Sequence, residues 1–165
     1  MRTTKFRGKR IDNGEWVYGD LIHETRGVVI QYEETIIPVG VGAPEREIVK
    51  RKHKVTVMSE TVGQFTGLYD SKRTEEYPKG QPLYEGDIIN SENYPFQHRG
   101  HQLHYGVIEW SDEHSAFILR KRLVDPNQSK GSDGIANFLS FYEMSEFTKV
   151  GNIYENPELI GGDGE

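Results

Sequence analysis

The feature that most constrains this fold is the interruption of short, β-type runs by glycine and proline along the whole chain. The 165 residues include 18 glycines and 7 prolines. Runs of this kind, separated by frequent turn residues, are typical of antiparallel strands joined by tight turns. The sequence therefore predicts a mainly β fold of short antiparallel strands with little helix.

The N-terminal half contains the clearest local prediction, a first hairpin. Residues 5–10 and 15–22 are its predicted strands, because the intervening Asp12, Asn13 and Gly14 tolerate the left-handed conformation of a tight turn. Further strands are predicted over residues 28–32, 35–39, 55–58 and 61–68, with a loop over residues 40–54.

The C-terminal half is predicted to form a second lobe. Residues 71–82 are polar and rich in breakers, so they are interpreted as the connection between lobes 1–70 and 83–160 of a single domain, 1–165. A strand at 83–89 precedes a hairpin formed by 105–110 and 116–119. Small SH3-like barrels often begin in this way, so an SH3-like barrel is one architecture that the pattern allows for this lobe.

Near the end of the chain, the residue pattern does not specify a single type of secondary structure. Residues 135–144 fit either a strand or a short helix, and their strand-forming aromatic residues slightly favour the strand. A strand at 147–150 and a turn or single helical turn at 154–159 are predicted to follow.

Composition excludes several classes of protein. The chain has no cysteine, which excludes a disulfide scaffold, thiolate catalysis and a cysteine zinc site, and fits a reducing cytoplasm. No window resembles a signal peptide or the roughly 18 to 20 apolar residues of a membrane helix. We expect a cytoplasmic protein with no membrane contact, and no cofactor is predicted.

Charge is distributed unevenly between the two halves of the chain. The formal net charge is −6, with 14 Lys and Arg against 12 Asp and Glu in residues 1–82, and 6 against 14 in residues 83–165. An acidic second half beside a mildly basic first half can favour head-to-tail contact between copies, and it is equally consistent with ordinary surface composition.

Two candidate sites stand out, and each has a structural alternative. His98, His101 and His104 recur at a spacing of three, which suggests a metal site, although Gly100 and Pro95 favour a solvated loop.

The candidate nucleic-acid contacts are the basic residues Lys50, Arg51, Lys52 and Lys54. Exposed aromatic residues such as Trp16, Tyr18 and Tyr32 are the candidate stacking partners for bases. Against this, Glu45 and Glu47 interrupt the basic patch.

Five segments in order resemble the YopX family. They are KFRGK (5–9), WVYG (16–19), TVGQFTGL (61–68), YEGDII (84–89) and VGNIYENPEL (150–159). The resemblance implies a mostly β fold encoded by phages, prophages and other mobile elements. It implies no established activity and no catalytic or binding residues.

Three hypotheses about function follow. The first is a non-catalytic phage or prophage accessory protein that forms a homo-oligomer or binds a phage or host protein. The second is a nucleic-acid-associated module in phage replication or regulation. The third is a metal-dependent enzyme that uses the histidines or acidic residues such as Glu85, Asp87 and Glu109; since no catalytic motif is present, no enzymatic activity is predicted.

Overall fold

The computed structural model describes residues 4–36, 49–90, 104–123, 134–141 and 146–160 of the chain. These residues are mainly β, as predicted, and their helical turns are short 3₁₀ helices at Ser59–Thr61, Leu139–Phe141 and Pro157–Ile160. The strands are β1 (Phe6–Lys9), β2 (Trp16–Glu24), β3 (Gly27–Ile36), β4 (Val49–Val57), β5 (Gly63–Tyr69), β6 (Pro82–Tyr84), β7 (Asp87–Asn90), β8 (His104–Ser111), β9 (Ala116–Leu123), β10 (Gly134–Phe138) and β11 (Thr148–Asn152). The chain divides into two compact units, Met1–Gln64 and Phe65–Glu165.

The first unit begins with the predicted hairpin, which is confirmed. Strands β1 and β2 pair antiparallel, with Lys9 opposite Trp16 and Phe6 opposite Gly19. Gly14 closes the turn at φ +73°, a left-handed conformation that other residues adopt only with strain. The Asn13 Oδ1 atom also accepts the Glu15 N–H at 3.0 Å, so the turn is fixed by local chemistry that the sequence displays.

The region after the hairpin departs from the prediction. The two short strands expected at 28–32 and 35–39 are replaced, over the described residues, by the single ten-residue strand β3. Residues 49–54, expected in a loop, belong to β4. Charge pairing across the ladder favours the longer strands, since Glu33 faces Lys52 and Glu34 faces Arg51, and opposite charges at facing positions stabilise a sheet.

The end of β4 returns to β1 within this unit. Val57 forms a bridge with Arg10, the Met58 N–H donates to the Lys9 carbonyl, and the Ile11 N–H donates to the Thr56 carbonyl. After the 3₁₀ turn, Gly63 pairs with Arg7 at the start of β5. Ile30 and Val57 are almost fully buried and form the apolar centre of the unit.

The second unit contains a five-stranded antiparallel sheet in the order β10-β9-β8-β7-β11. The predicted hairpin of β8 and β9 is confirmed. In the stretch 135–144, the residues up to Phe138 belong to strand β10, as the favoured alternative predicts, and Leu139–Phe141 form a 3₁₀ turn. Residues 142–144 lie outside the described residues. The core residues are Leu83, Ile89, Ile108, Phe117, Leu119, Leu139 and Phe147.

One strand order occurs twice along the chain. Strands β1 to β5 are ordered β4-β3-β2-β1-β5, and β7 to β11 are ordered β10-β9-β8-β7-β11. In both series a 3₁₀ turn separates the fourth strand from the fifth.

The SH3-like barrel suggested for the C-terminal lobe stays a prediction. Across the described ranges, no helix is long and apolar enough to cross a membrane.

Candidate functional site

The predicted basic residues all lie on β4, the outermost strand of its sheet. Side chains alternate between the two faces of a strand. Lys50, Lys52 and Lys54 therefore share one face, while Arg51 shares the opposite face with His53. The exposed basic patch is thus a regular strand with cations on both faces, and we call it the basic strand (residues 49–55).

The charges of the basic strand are partly matched by carboxylates of the same unit. The Glu33 carboxylate lies 3.7 Å from Lys50 Nζ and 4.0 Å from Lys52 Nζ, and Glu24 Oε1 lies 3.0 Å from Lys54 Nζ. On the other face, Glu34 Oε2 lies 2.9 Å from His53 Nε2.

These ion pairs reduce the local excess of positive charge. Apart from His53, four cations face three carboxylates, which leaves one net positive charge. The side chains are solvent-exposed, so each pair contributes about 0–1 kcal/mol and can exchange partners.

The outer edge of the basic strand follows from one hydrogen bond. The Thr56 carbonyl points away from β3, because it accepts the Ile11 N–H at 3.2 Å. Alternate residues direct their backbone groups to the same edge of a strand, and the register with β3 is uninterrupted. The N–H and C=O groups of Lys50, Lys52 and Lys54 therefore point outward, where no other described residue pairs with them.

The predicted stacking aromatics do not form one platform. Trp16 and Tyr18 lie opposite Lys9 and Arg7 on one face of the sheet, and the Trp16 ring already has the Arg7 guanidinium 4.7 Å from its centroid. Tyr32 lies on the other face, where its ring stacks on His53 with centroids 5.3 Å apart. Base stacking on a continuous aromatic surface is therefore not supported by this arrangement.

A cleft of about 600 Å³ adjoins the basic strand. Its lining residues are Arg10, Ile11, Asp12, Lys54, Val55 and Thr56. One wall is fixed by a two-point ion pair, in which Arg10 Nη2 and Nε donate to Asp12 Oδ2 and Oδ1 at 2.6 and 2.9 Å. The hydrogen bond from Arg10 lowers the pKa of the Asp12 carboxyl below its ordinary value, and the same bond raises the pKa of Arg10.

The histidine metal site stays a prediction, because two of its three histidines are not among the described residues. His98 and His101 lie outside them, and His104 begins β8. No group of three or more His, Cys, Asp or Glu side chains able to hold a metal ion occurs within the described ranges.

The acidic candidates of the second unit have separate structural contacts. Asp87 Oδ2 is fully buried beside Lys149 Nζ at 3.0 Å, and Glu109 Oε2 accepts the Arg120 Nε–H at 2.6 Å.

Sequence reasoning missed a buried polar residue in the second unit, Asp70. It is 4% exposed. Its Oδ1 accepts the N–H groups of Gln81 and Lys72 at 2.6 and 3.2 Å, and its Oδ2 accepts that of Lys149 at 3.1 Å. Two of these partners are 11 and 79 residues away along the chain, so no local signal could have identified the contact. Its role is to join three segments of backbone.

The asparagines near the C-terminus also have a structural role. Asn152 Oδ1 accepts the N–H groups of Tyr154 and Glu155. Asn156 Oδ1 accepts the Asn152 N–H at 3.3 Å. The oxygens of both side chains are thus used within the turn that they stabilise.

The chain was compared with solved structures, with curated proteins and with models of protein families. One solved structure, the crystal structure of protein EF1440 from Enterococcus faecalis, is similar over 97% of this chain and 99% of that chain, with 19% sequence identity and a TM-score of 0.47. No curated protein matches the chain. The family model described as "YopX protein" matches residues 5–161, nearly the whole length. The chain therefore belongs to the YopX family.

Proposed function

We propose that this chain is a non-catalytic interaction protein that binds an extended, acidic segment of another protein along the outer edge of the basic strand. The observation that carries the proposal is the outward direction of the backbone groups of Lys50, Lys52 and Lys54 on an outermost strand. An extended segment added to such an edge gains main-chain hydrogen bonds, and side chains on both faces supply specificity.

The charge of the strand defines the preferred segment. Cations lie on both of its faces, so a carboxylate on either face of the incoming strand meets a lysine or an arginine. Facing opposite charges contribute about 0.2–1 kcal/mol each, whereas facing like charges are destabilising. An acidic segment gains from this pattern and a basic one does not.

The same pattern argues against pairing between two copies of the basic strand. Two such strands would place cations opposite cations, which is how natural edge strands resist self-association. The other outermost strands that the structure describes, β6, β10 and β11, contain no aspartate or glutamate. We therefore favour a different protein over a second copy as the source of the acidic segment.

The biological setting belongs to the same proposal. The resemblance to phage and prophage proteins suggests an accessory protein of a mobile element, and the absence of cysteine fits the cytoplasm of its bacterial host. The partner is then a phage or host protein with an exposed acidic segment.

The test is binding of a seven-residue peptide that alternates glutamate and threonine, measured by fluorescence anisotropy. We expect it to bind, whereas a peptide that alternates lysine and threonine does not. Changing Lys50, Arg51, Lys52 and Lys54 to Gln should weaken binding roughly tenfold, because the alternating glutamates share one face of the peptide and up to three charge pairs, those with Lys50, Lys52 and Lys54, are lost. The matched control changes four exposed cations elsewhere, Arg26, Lys72, Arg73 and Lys79, to Gln and should leave the affinity unchanged.

Two results would overturn the proposal. Equal weakening by both variants would show attraction to net charge rather than to the basic strand. Binding of DNA or RNA that falls steeply with salt and is lost in the basic-strand variant, with no peptide binding, would favour the nucleic-acid hypothesis instead. Light scattering on the same samples would reveal self-association if a second copy is the true occupant.

A further inference from the structure

The cleft described above begins where the open edge of the basic strand ends. The hydrogen bond from the Ile11 N–H to the Thr56 carbonyl occupies the edge of β4 from Thr56 onward. A segment paired with residues 49–55 must therefore leave the ladder at this point, beside the cleft that Ile11 and Val55 help to line.

The walls of the cleft suit an apolar side chain. Ile11 is 59% exposed, the largest exposed fraction among the apolar side chains described, and Val55, which also lines the cleft, is half-buried. The charged groups at the rim are engaged elsewhere, since Arg10 pairs with Asp12 and Lys54 is, under the proposed function, a contact of the acidic segment itself. What remains for an incoming group is mainly hydrocarbon from Ile11, Val55 and the stems of the two cationic side chains.

We infer that the cleft is an anchor pocket for an apolar residue that flanks the acidic segment. The inference rests on the proposed function and adds a second feature to its partner, an acidic strand with a leucine-sized residue at one end. Antiparallel pairs outnumber parallel pairs in sheets. The cleft lies at the C-terminal end of the basic strand, so an antiparallel partner places its N-terminal end there.

The experiment compares three versions of the acidic peptide: one with an added N-terminal leucine, one with an added N-terminal serine, and one with leucine at the C-terminus. We expect the N-terminal leucine to strengthen binding about fivefold over serine, which corresponds to partial burial of one apolar side chain. The C-terminal leucine should give no gain.

Variants of the protein then locate the effect. Ile11→Ser removes the exposed apolar wall, and it should abolish the gain from leucine while leaving the binding of the serine peptide unchanged. Val150→Ser, which alters an apolar side chain of the second unit that is 40% exposed, is the matched control and should preserve the gain. Thermal unfolding of each variant confirms that it is folded.

The outcomes separate this inference from the proposed function. If all three peptides bind equally and the basic-strand variant still weakens them, the anchor pocket is wrong and the proposed function stands. If the leucine gain survives in Ile11→Ser, the apolar contact lies elsewhere and the inference fails. If no peptide binds, both proposals are wrong.

Discussion

The buried carboxylate of Asp70 gives the most quantitative test of the second unit. It accepts three backbone N–H groups, those of Gln81, Lys149 and Lys72, at 2.6, 3.1 and 3.2 Å. A hydrogen bond to a charged group contributes about 1.5–3 kcal/mol, and a buried donor left without a partner costs about 1–3 kcal/mol. Since two of the bonds are long, we expect Asp70→Ala to lower the free energy of unfolding by about 3–5 kcal/mol.

A conservative variant keeps the prediction testable if the alanine variant does not fold. Asp70→Asn retains the shape and one acceptor oxygen, so Gln81 and Lys72 keep their bonds. Its amide nitrogen would face the N–H of Lys149, which exchanges an attraction for a repulsion between donors. We expect a loss of about 1.5–3 kcal/mol, smaller than that of the alanine variant.

The assay is urea denaturation followed by the fluorescence of Trp110, which lies in the second unit. A Trp16→Phe background removes the other tryptophan of the chain. The control is Glu75→Ala, an exposed carboxylate whose removal should change stability by about 0.5 kcal/mol or less. A loss below about 1 kcal/mol for Asp70→Ala, with an unchanged denaturant slope, would refute the claim that Asp70 joins these segments.

Two further predictions concern the first unit. Gly19→Ala should destabilise the protein by about 1–3 kcal/mol, because a Cβ atom there would overlap the backbone carbonyl of Gln31. The control is Asp20→Ala at the exposed neighbouring position, which should leave the free energy of unfolding nearly unchanged in the same denaturation assay. NMR titration should place the pKa of the Asp12 carboxyl below 3.8, and the Arg10→Gln variant should return that pKa toward 3.8. The ion pair of Arg10 and Asp12 therefore stabilises the fold above pH 3.8, and this stabilisation is lost as the pH falls through the lowered pKa of Asp12.

The parts of the fold that the sequence predicts well depend on local chemistry. The turn at Asn13 and Gly14 forms the first hairpin because these residues can adopt its conformation and bond to their own neighbours. The β8–β9 hairpin is similarly local, with its two strands joined by a short polar turn at 112–115.

The parts that the sequence misses depend on contacts between distant residues. Glu33 and Glu34 suggest the end of a strand when considered alone, yet they face Lys52 and Arg51 across a gap in sequence of more than 15 residues. The repeated strand order is also invisible in the amino-acid pattern, since the segments that form it share no repeated motif. Pairing across a sheet is decided by facing side chains, and one sequence does not show which residues face each other.

The run of basic residues in the sequence identifies the candidate site, but it does not show that these residues form an outermost strand. Lys50, Arg51, Lys52 and Lys54 are conspicuous as a basic run, which predicts contact with phosphate groups. Their placement on an outermost strand, beside carboxylates, favours a different partner. Alternation of Val49, Val55 and Val57 with polar residues was the available signal for a strand, and the density of charge obscured it.

Amide hydrogen exchange at the basic strand tests the central claim most directly. In the protein alone, we expect the amides of Lys50, Lys52 and Lys54 to exchange rapidly, and those of Arg51, His53 and Val55 to be protected by their bonds to β3. Saturating acidic peptide should slow the first three at least about tenfold, because an added strand occupies their N–H groups. Peptide binding with no such slowing, or protection of these three amides before any peptide is added, would contradict the account.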